Sequence, residues 1–182
     1  VSTACLAHDM GNPPFGHSGE KAIQAYFREG GGQALQERIS NEFWNDLTHF
    51  EGNANTFRLL THRFHGRREG GFVMTYSTLA SIVKYPHSSL CAGKKGKFGF
   101  FCFEEEYFRR IADGLGMIRL SADGEPLRYA RHPLVYLVEA ADDICYEIMD
   151  IEDAHKLRIL SFDETMKLLL GFFDEAHRQK IM

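Results

Sequence analysis

Apolar positions recur along this chain mostly at helical spacing. In 19–28 (GEKAIQAYFR), Ala22, Ile23, Tyr26 and Phe27 fall at i, i+1, i+4 and i+5, a stripe opposite charged positions. With the preceding Ser-Gly, the pattern predicts a helix beginning just after His17. Gly30, Gly31 and Gly32 should end it, because glycines in series lose too much backbone entropy to continue a helix. The stretch 52–64 repeats the pattern with Phe57, Leu59, Leu60 and Phe64, as do 76–85, halted by Pro86, and 103–115. Residues 133–154 form the longest clean helical pattern, with Pro133 suited to a first turn, and a last helix is expected over 162–180.

The segment 87–101 (HSSLCAGKKGKFGFF) is rich in Gly and Lys and carries no helical stripe. It reads as a surface loop whose tip is a candidate interaction segment. Alternating strands are absent, apart from the short MIRL and PLRY that flank Ala122-Asp123-Gly124-Glu125 and resemble a hairpin. The expected fold is all-α, a helical bundle with long connecting loops and at most a minor β-hairpin, forming a single domain over 1–182.

Composition narrows the chemistry. A chain of 182 residues buries a substantial core without metal or disulfide as a folding requirement, so a bound metal would serve reaction chemistry. The hydrophobic share of 44% and charged share of 25% are those of a soluble globular protein. No stretch approaches the ~20 apolar residues of a membrane span. The opening VSTACLA lacks a basic leader and reads as buried helix, not as a signal peptide, which gives a cytoplasmic expectation. A net charge of -4 argues against a domain whose main task is coating nucleic acid. Cys5, Cys91, Cys102 and Cys145 form no CxxC pair and are expected to pack the core in a reducing compartment. The abrupt apolar start and the amphipathic end FDEAHRQKIM suggest an excerpt of a longer protein.

The candidate chemistry starts at His8 and Asp9, inside TACLAHDMGNPPFGHSGE (3–20). Imidazole nitrogen and carboxylate oxygen together hold divalent ions that activate water. A His-Asp dipeptide alone is equally a surface turn. Here it follows Ala4, Cys5, Leu6 and Ala7, where an unpaired charge is costly and demands a partner. The rigid Gly11-Asn12-Pro13-Pro14-Phe15-Gly16 loop then delivers His17, with Glu20 three residues on. That spacing lets the carboxylate set the tautomer of a proton-transfer imidazole. The plainer alternative is a Ser18 cap with Glu20 as a first-turn acid. On the long helix, Asp142, Tyr146 and Asp150 at i, i+4 and i+8 share one face along about 12 Å. A solvated acidic face is the alternative there, and it suits Glu147 and Glu152 better than Asp142, which follows Ala140-Ala141.

Three runs, TACLAHDMGNPPFGHSGE, FEGNANTFRLLT (50–61) and LVEAADDICYEIMDIEDA (137–154), resemble in that order the deoxyguanosine triphosphate triphosphohydrolase family, a branch of the HD-domain phosphohydrolases. The resemblance implies that His8, Asp9 and Asp142 are metal ligands and that His17 with Glu20 forms the catalytic dyad. Asp143 is the competing ligand, and the family pattern favours Asp142. It implies that Tyr146 packs on the deoxyribose, that Asp150 bonds its 3′-hydroxyl, and that Asn53, Lys84 and Tyr85 contact the substrate. A further His ligand is expected upstream of Val1, outside these residues.

The implied activity is hydrolysis of a deoxynucleoside triphosphate, dGTP first, to deoxynucleoside and inorganic triphosphate by attack at the α-phosphorus. Mn²⁺ or Mg²⁺ would serve as cofactor, and His17 would handle a proton at the leaving 5′-oxygen or at the nucleophile. Lys84, Arg58 and Arg63 are candidates to balance the triphosphate charge. GKKGKFG lacks the spacing of a phosphate-binding P-loop and reads as solvated. The resemblance also implies a homo-oligomer, with a nucleotide or single-stranded DNA as effector and no membrane. Two alternatives stand: an HD phosphodiesterase or nucleoside monophosphatase, distinguished by its products, and a non-catalytic module that senses dNTPs or binds single-stranded DNA. The second has no need of a proton-transfer dyad.

Overall fold

A computed structural model describes residues 1–66 and 71–181. The chain divides into two compact units, Val1–Val138 and Glu139–Met182. The first contains α1 (Ser2–Ala7), α2 (His17–Glu29), α3 (Asn41–Thr48), α4 (Gly52–Thr61), α5 (Tyr76–Ile82), α6 (Glu105–Leu115) and the opening turn of α7 (Leu134–Lys156). The second contains the rest of α7, then α8 (Phe162–Gly171) and α9 (Glu175–Ile181). The all-α expectation holds, since the described residues contain no strand. The expected hairpin is a loose one, a single antiparallel bridge between Arg119 and Tyr129 closed by Gly124 at φ 84°. No helix among the described residues is long and apolar enough to cross a membrane.

The core of the first unit gathers around α4. Phe57 and Leu60 are fully buried and meet Leu79 and Ile82 of α5 and Phe108 and Ile111 of α6. Phe100 stacks on Phe108 at 4.7 Å between ring centres, and Phe57 meets Phe108 edge-on at 5.7 Å. Burying each such ring contributes about 1.5–3 kcal/mol. Ala54, one turn earlier on α4, joins Phe98 and Phe101 in a smaller cluster. So α4 has apolar contacts on two sides and is fixed in place.

Several expectations needed correction. The segment 87–101 is a surface loop only at its tip: Gly93, Lys94 and Lys95 are exposed, whereas Ser88, Phe98 and Phe100 are buried. Its aromatic end is core, and that anchors the Lys-rich part. The stripe of α2 is not core either. Ala22 and Tyr26 are exposed, and the one buried residue of this helix is Glu20. The expected last helix breaks at 172–174, where Asp174 accepts the His177 N–H at 2.9 Å and starts α9. Helix α3 was not anticipated. Ser40 caps it by accepting the Phe43 N–H. None of the four thiols is fully buried: Cys5, Cys91 and Cys102 are half-buried and Cys145 is exposed, all free.

Candidate active site

The His-Asp segment is held from behind by α4. Thr56, fully buried, donates its hydroxyl to the His8 carbonyl at 2.8 Å and accepts the Gly11 N–H at 2.9 Å. The Asn55 side-chain amide donates to the Gly11 carbonyl at 2.9 Å. The contact is so close that a Cβ on Gly11 would lie 2.0 Å from the Thr56 nitrogen. Glycine is required there for approach, not for φ.

With the backbone pinned, His8 is oriented by its own helix. Its Nδ1 lies 2.8 Å from the Cys5 carbonyl, which can only accept, so the proton is on Nδ1 and the lone pair on Nε2. That nitrogen stands 3.5 Å from Asp9 Oδ1. An imidazole oriented by a carbonyl behind it, with a carboxylate beside its lone pair, has the donor chemistry and outer-shell support of a metal-ligating histidine. Among the described residues, no group of three or more His, Cys, Asp or Glu side chains converges to hold an ion. His8 and Asp9 belong to the first unit and Asp142 to the second.

The loop after Gly11 brings His17 to the first position of α2 through two consecutive residues of positive φ, Phe15 at 67° and Gly16 at 52°. His17 Nδ1 and Glu20 Oε2 are 2.9 Å apart, which leaves Nε2 for a reacting group; the imidazole is 79% exposed and the carboxylate 9%. Glu20 Oε1 accepts the Gly52 N–H at 2.7 Å, at the start of α4. Burial pushes the Glu20 carboxyl up, but the Gly52 N–H, His17 and Lys97 outweigh it and hold it below the usual carboxylate value. Glu20 is thereby an ionised acceptor for His17.

Two residues that the sequence reading missed complete this network. Glu51, 1% exposed, caps α4 by accepting the Asn53 and Ala54 N–H groups, and it also takes Lys97 Nζ at 2.6 Å. Lys97 Nζ lies 3.5 Å from Glu20 Oε2 as well. Burial opposes the Lys97 charge, but Glu51 and Glu20 lift its pKa above the ordinary lysine value. Lys97 lies in GKKGKFG, the segment whose composition reads as a solvated loop. The signal that could have found it is its position immediately before the aromatic run Phe98-Gly99-Phe100-Phe101, which had to be buried.

His17, Glu20, Glu51 and Lys97 line a cavity of about 420 Å³ whose other cations are Lys21, Arg28, Lys94 and Lys95. Five Lys or Arg side chains thus face two carboxylates, and both carboxylates are engaged by Lys97. In a chain of net charge -4, this is a concentrated positive cleft suited to a polyanion.

The remaining candidates fall elsewhere. Asn53 donates its side-chain amide to Glu51 Oε1 at 2.8 Å, at the edge of the same network. Lys84 lies 6.0 Å from the centre of the Tyr85 ring, which the Arg131 guanidinium also approaches at 5.6 Å. Asp142, Tyr146 and Asp150 lie on α7, with Asp142 half-buried and Asp143, Tyr146 and Asp150 exposed. Arg58 and Arg63 line a different cavity from the dyad, and Arg58 is committed to Glu104 at 2.9 Å, so the expected phosphate role does not suit it. Glu104 is 8% exposed and its Oε2 has no hydrogen-bond partner among the described residues. Burial pushes its pKa up to about 7 even though Arg58 opposes the rise.

No family model matches the chain. Among curated proteins it is 46% identical over 175 residues to a deoxyguanosinetriphosphate triphosphohydrolase-like protein of Pseudomonas aeruginosa, covering 94% of this chain and 39% of that protein. It is 42% identical over 188 residues to the protein of the same name from Synechocystis, covering 96% and 42%. With the deoxyguanosinetriphosphate triphosphohydrolase of Yersinia enterocolitica it shares 35% identity over 196 residues, covering 90% and 36%. The chain therefore spans about two fifths of the length of these relatives. Over most of its own length, then, the chain is similar to proteins named deoxyguanosinetriphosphate triphosphohydrolase or deoxyguanosinetriphosphate triphosphohydrolase-like, in agreement with the resemblance carried by the three motifs.

Proposed function

We propose that the protein to which this chain belongs hydrolyses a deoxynucleoside triphosphate, dGTP first, releasing the deoxynucleoside and inorganic triphosphate. The observation that carries the reading is the His17–Glu20 pair opening into a cleft rimmed by Lys21, Arg28, Lys94 and Lys95. A proton-transfer imidazole beside a concentration of cations fits a reaction whose leaving or product group is a polyphosphate. The names of the relatives point to dGTP.

In this reading water adds across the bond between the α-phosphorus and the 5′-oxygen. The P–O5′ bond breaks, a new P–O bond forms to the water oxygen, the 5′-oxygen leaves with a proton from His17, and the proton lost by the water, passed through solvent, restores His17. Glu20 holds the imidazole in the orientation that presents Nε2. His8, Asp9 and Asp142 would hold a divalent ion, Mn²⁺ or Mg²⁺, together with an upstream His. When bound, the ion supplies charge neutralisation at the α-phosphate and acidifies water. Tyr146 would pack on the deoxyribose, Asp150 would bond its 3′-hydroxyl, and Asn53, Lys84 and Tyr85 would contact the substrate. Their support is the shared face of α7 and the cation–aromatic cluster at Tyr85. A cytoplasmic homo-oligomer, with a nucleotide or single-stranded DNA as effector, belongs to the same proposal; four free thiols fit a reducing compartment.

The test is product analysis by phosphorus NMR on the full-length protein given dGTP and Mn²⁺. Triphosphate release that disappears in His17→Ala supports the reading. Orthophosphate as the first product, or unchanged turnover in His17→Ala, overturns it.

A further inference from the structure

Glu20 Oε2 faces two donors at once. His17 Nδ1 is at 2.9 Å and Lys97 Nζ at 3.5 Å. Only the first of these distances is a good hydrogen bond. What keeps the ammonium from closing on Glu20 is Glu51, which takes it at 2.6 Å while sitting 1% exposed at the start of α4. Glu51 is itself immobile, because it also accepts the Asn53 and Ala54 N–H groups. Lys97 is equally constrained from its own side, because Phe98 next to it is fully buried. A lysine on a flexible stem is ordinarily a mobile point charge; this one is tied at both ends.

We propose that Lys97 is a positioning residue for the His17–Glu20 dyad, held by Glu51 where its charge keeps Glu20 an ionised acceptor without taking the oxygen that His17 uses. The inference rests on the functional reading above and deepens it. An opposite charge at this distance stabilises the carboxylate, adding to the larger effects of the Gly52 N–H and His17 that lower the Glu20 pKa, while Glu51 first and then Glu20 raise that of Lys97. The division of labour is geometric. Glu51 receives the close contact, Glu20 receives the field, and the Glu20 hydrogen bond stays with His17. The groups facing Glu20 are His17 on α2, the Gly52 N–H on α4, Glu51 at its cap and Lys97 on the loop, with Lys94 and Lys95 farther along the cleft. Of the lysines among the described contacts, Lys97 alone is within ion-pair distance of Glu20.

The test uses the full-length protein with dGTP and Mn²⁺, comparing wild type, Lys97→Met, Lys97→Arg and Glu51→Gln. In Lys97→Met the acidic limb of the kcat profile moves to higher pH by about one unit, because Glu20 loses its nearest cation. Lys97→Arg returns the limb to within a few tenths of a unit. Glu51→Gln leaves the limb at or below its wild-type position but lowers kcat about tenfold, because Lys97 then competes with His17 for Oε2. A uniform loss of rate in Lys97→Met with an unmoved limb, or no recovery in Lys97→Arg, overturns the proposal. A second measurement separates its fate from that of the functional reading. Carbon NMR of labelled glutamate carboxyls, assigned with Glu20→Gln, must show the Glu20 titration moving up in Lys97→Met even if wild type releases no triphosphate. An unmoved Glu20 titration overturns the proposal directly.

Discussion

Thr56 reaches back 48 residues to bond the carbonyl of His8, at 2.8 Å, from a position with no exposed surface. The same hydroxyl accepts the Gly11 N–H, so one side chain satisfies two backbone groups on either side of Asp9. Thr56→Val keeps the shape and removes both bonds, leaving a buried donor unpaired. The expected loss is about 2–3 kcal/mol in urea unfolding, together with weaker metal retention. Thr56→Ser keeps the hydroxyl and should lose no more than about 1 kcal/mol. Equal losses in the two variants would show that the hydroxyl is not what holds the segment.

Two glycines divide stability from activity. A Cβ on Gly11 meets the Thr56 nitrogen at 2.0 Å, backbone against backbone, so Gly11→Ala should cost about 3 kcal/mol or more and show as a drop in Tm. A Cβ on Gly52 meets side chains, Asn12 Oδ1 at 2.3 Å and Glu20 Oε1 at 3.0 Å. These can move, so Gly52→Ala should fold but displace the dyad. We expect kcat to fall by about tenfold to a hundredfold with a smaller change in Tm. A Gly52→Ala enzyme with wild-type kcat would contradict this.

Glu104 makes stability depend on pH in a defined direction. Its folded-state pKa is raised from 4.5 to about 7, so the folded protein holds a proton that the unfolded chain releases earlier. Stability contributed by this group is therefore complete below about pH 4.5 and declines as pH rises toward 7, by roughly 3 kcal/mol in all. Glu104→Gln removes that decline. Urea midpoints of the two proteins, measured from pH 4.5 to 7.5, should diverge as pH rises; parallel curves would sink the prediction.

The ligand question on α7 is open to a paired measurement. Asp142 is half-buried and Asp143 exposed. In full-length protein, Asp142→Asn and His8→Ala should each lower Mn²⁺ affinity by at least about tenfold, while Asp143→Asn should stay near wild type. Metal content by mass spectrometry after dialysis reads this directly. Loss of metal in Asp143→Asn alone would reverse the assignment.

Most helices were legible because their apolar spacing is strong, and His17–Glu20 was legible because three-residue spacing at a helix start fixes the contact in advance. What stayed hidden was long-range. Nothing local marks Glu51 as the partner of Lys97, since 46 residues separate them. Helix α3 was hidden by its length: Phe43, Trp44 and Leu47 fall at i, i+1 and i+4, but NEFWNDLT is eight residues, too short for the stripe to repeat. The stripe of α2 misled in the other direction. Ala22 and Tyr26 are exposed, Ile23 and Phe27 only half-buried, and the one buried residue is the carboxylate of Glu20, the reverse of what patterning assumes. Asp142, Tyr146 and Asp150 were read from spacing within one helix, which fixes their common face and says nothing of what faces it.

The first turn of α4 touches every part of the chemistry found in the first unit. Glu51 grips Lys97, Gly52 donates to Glu20, and Asn55 and Thr56 clasp the backbone that carries His8 and Asp9. The proposed ligands His8 and Asp9 and the proposed His17–Glu20 dyad are thus indexed to a single helical register. Inserting or deleting one residue there rotates all of these partners together by about 100°. Substitutions can therefore accumulate on the loop tips around the cleft, while the spacing from Glu51 to Thr56 is open to selection only as a block.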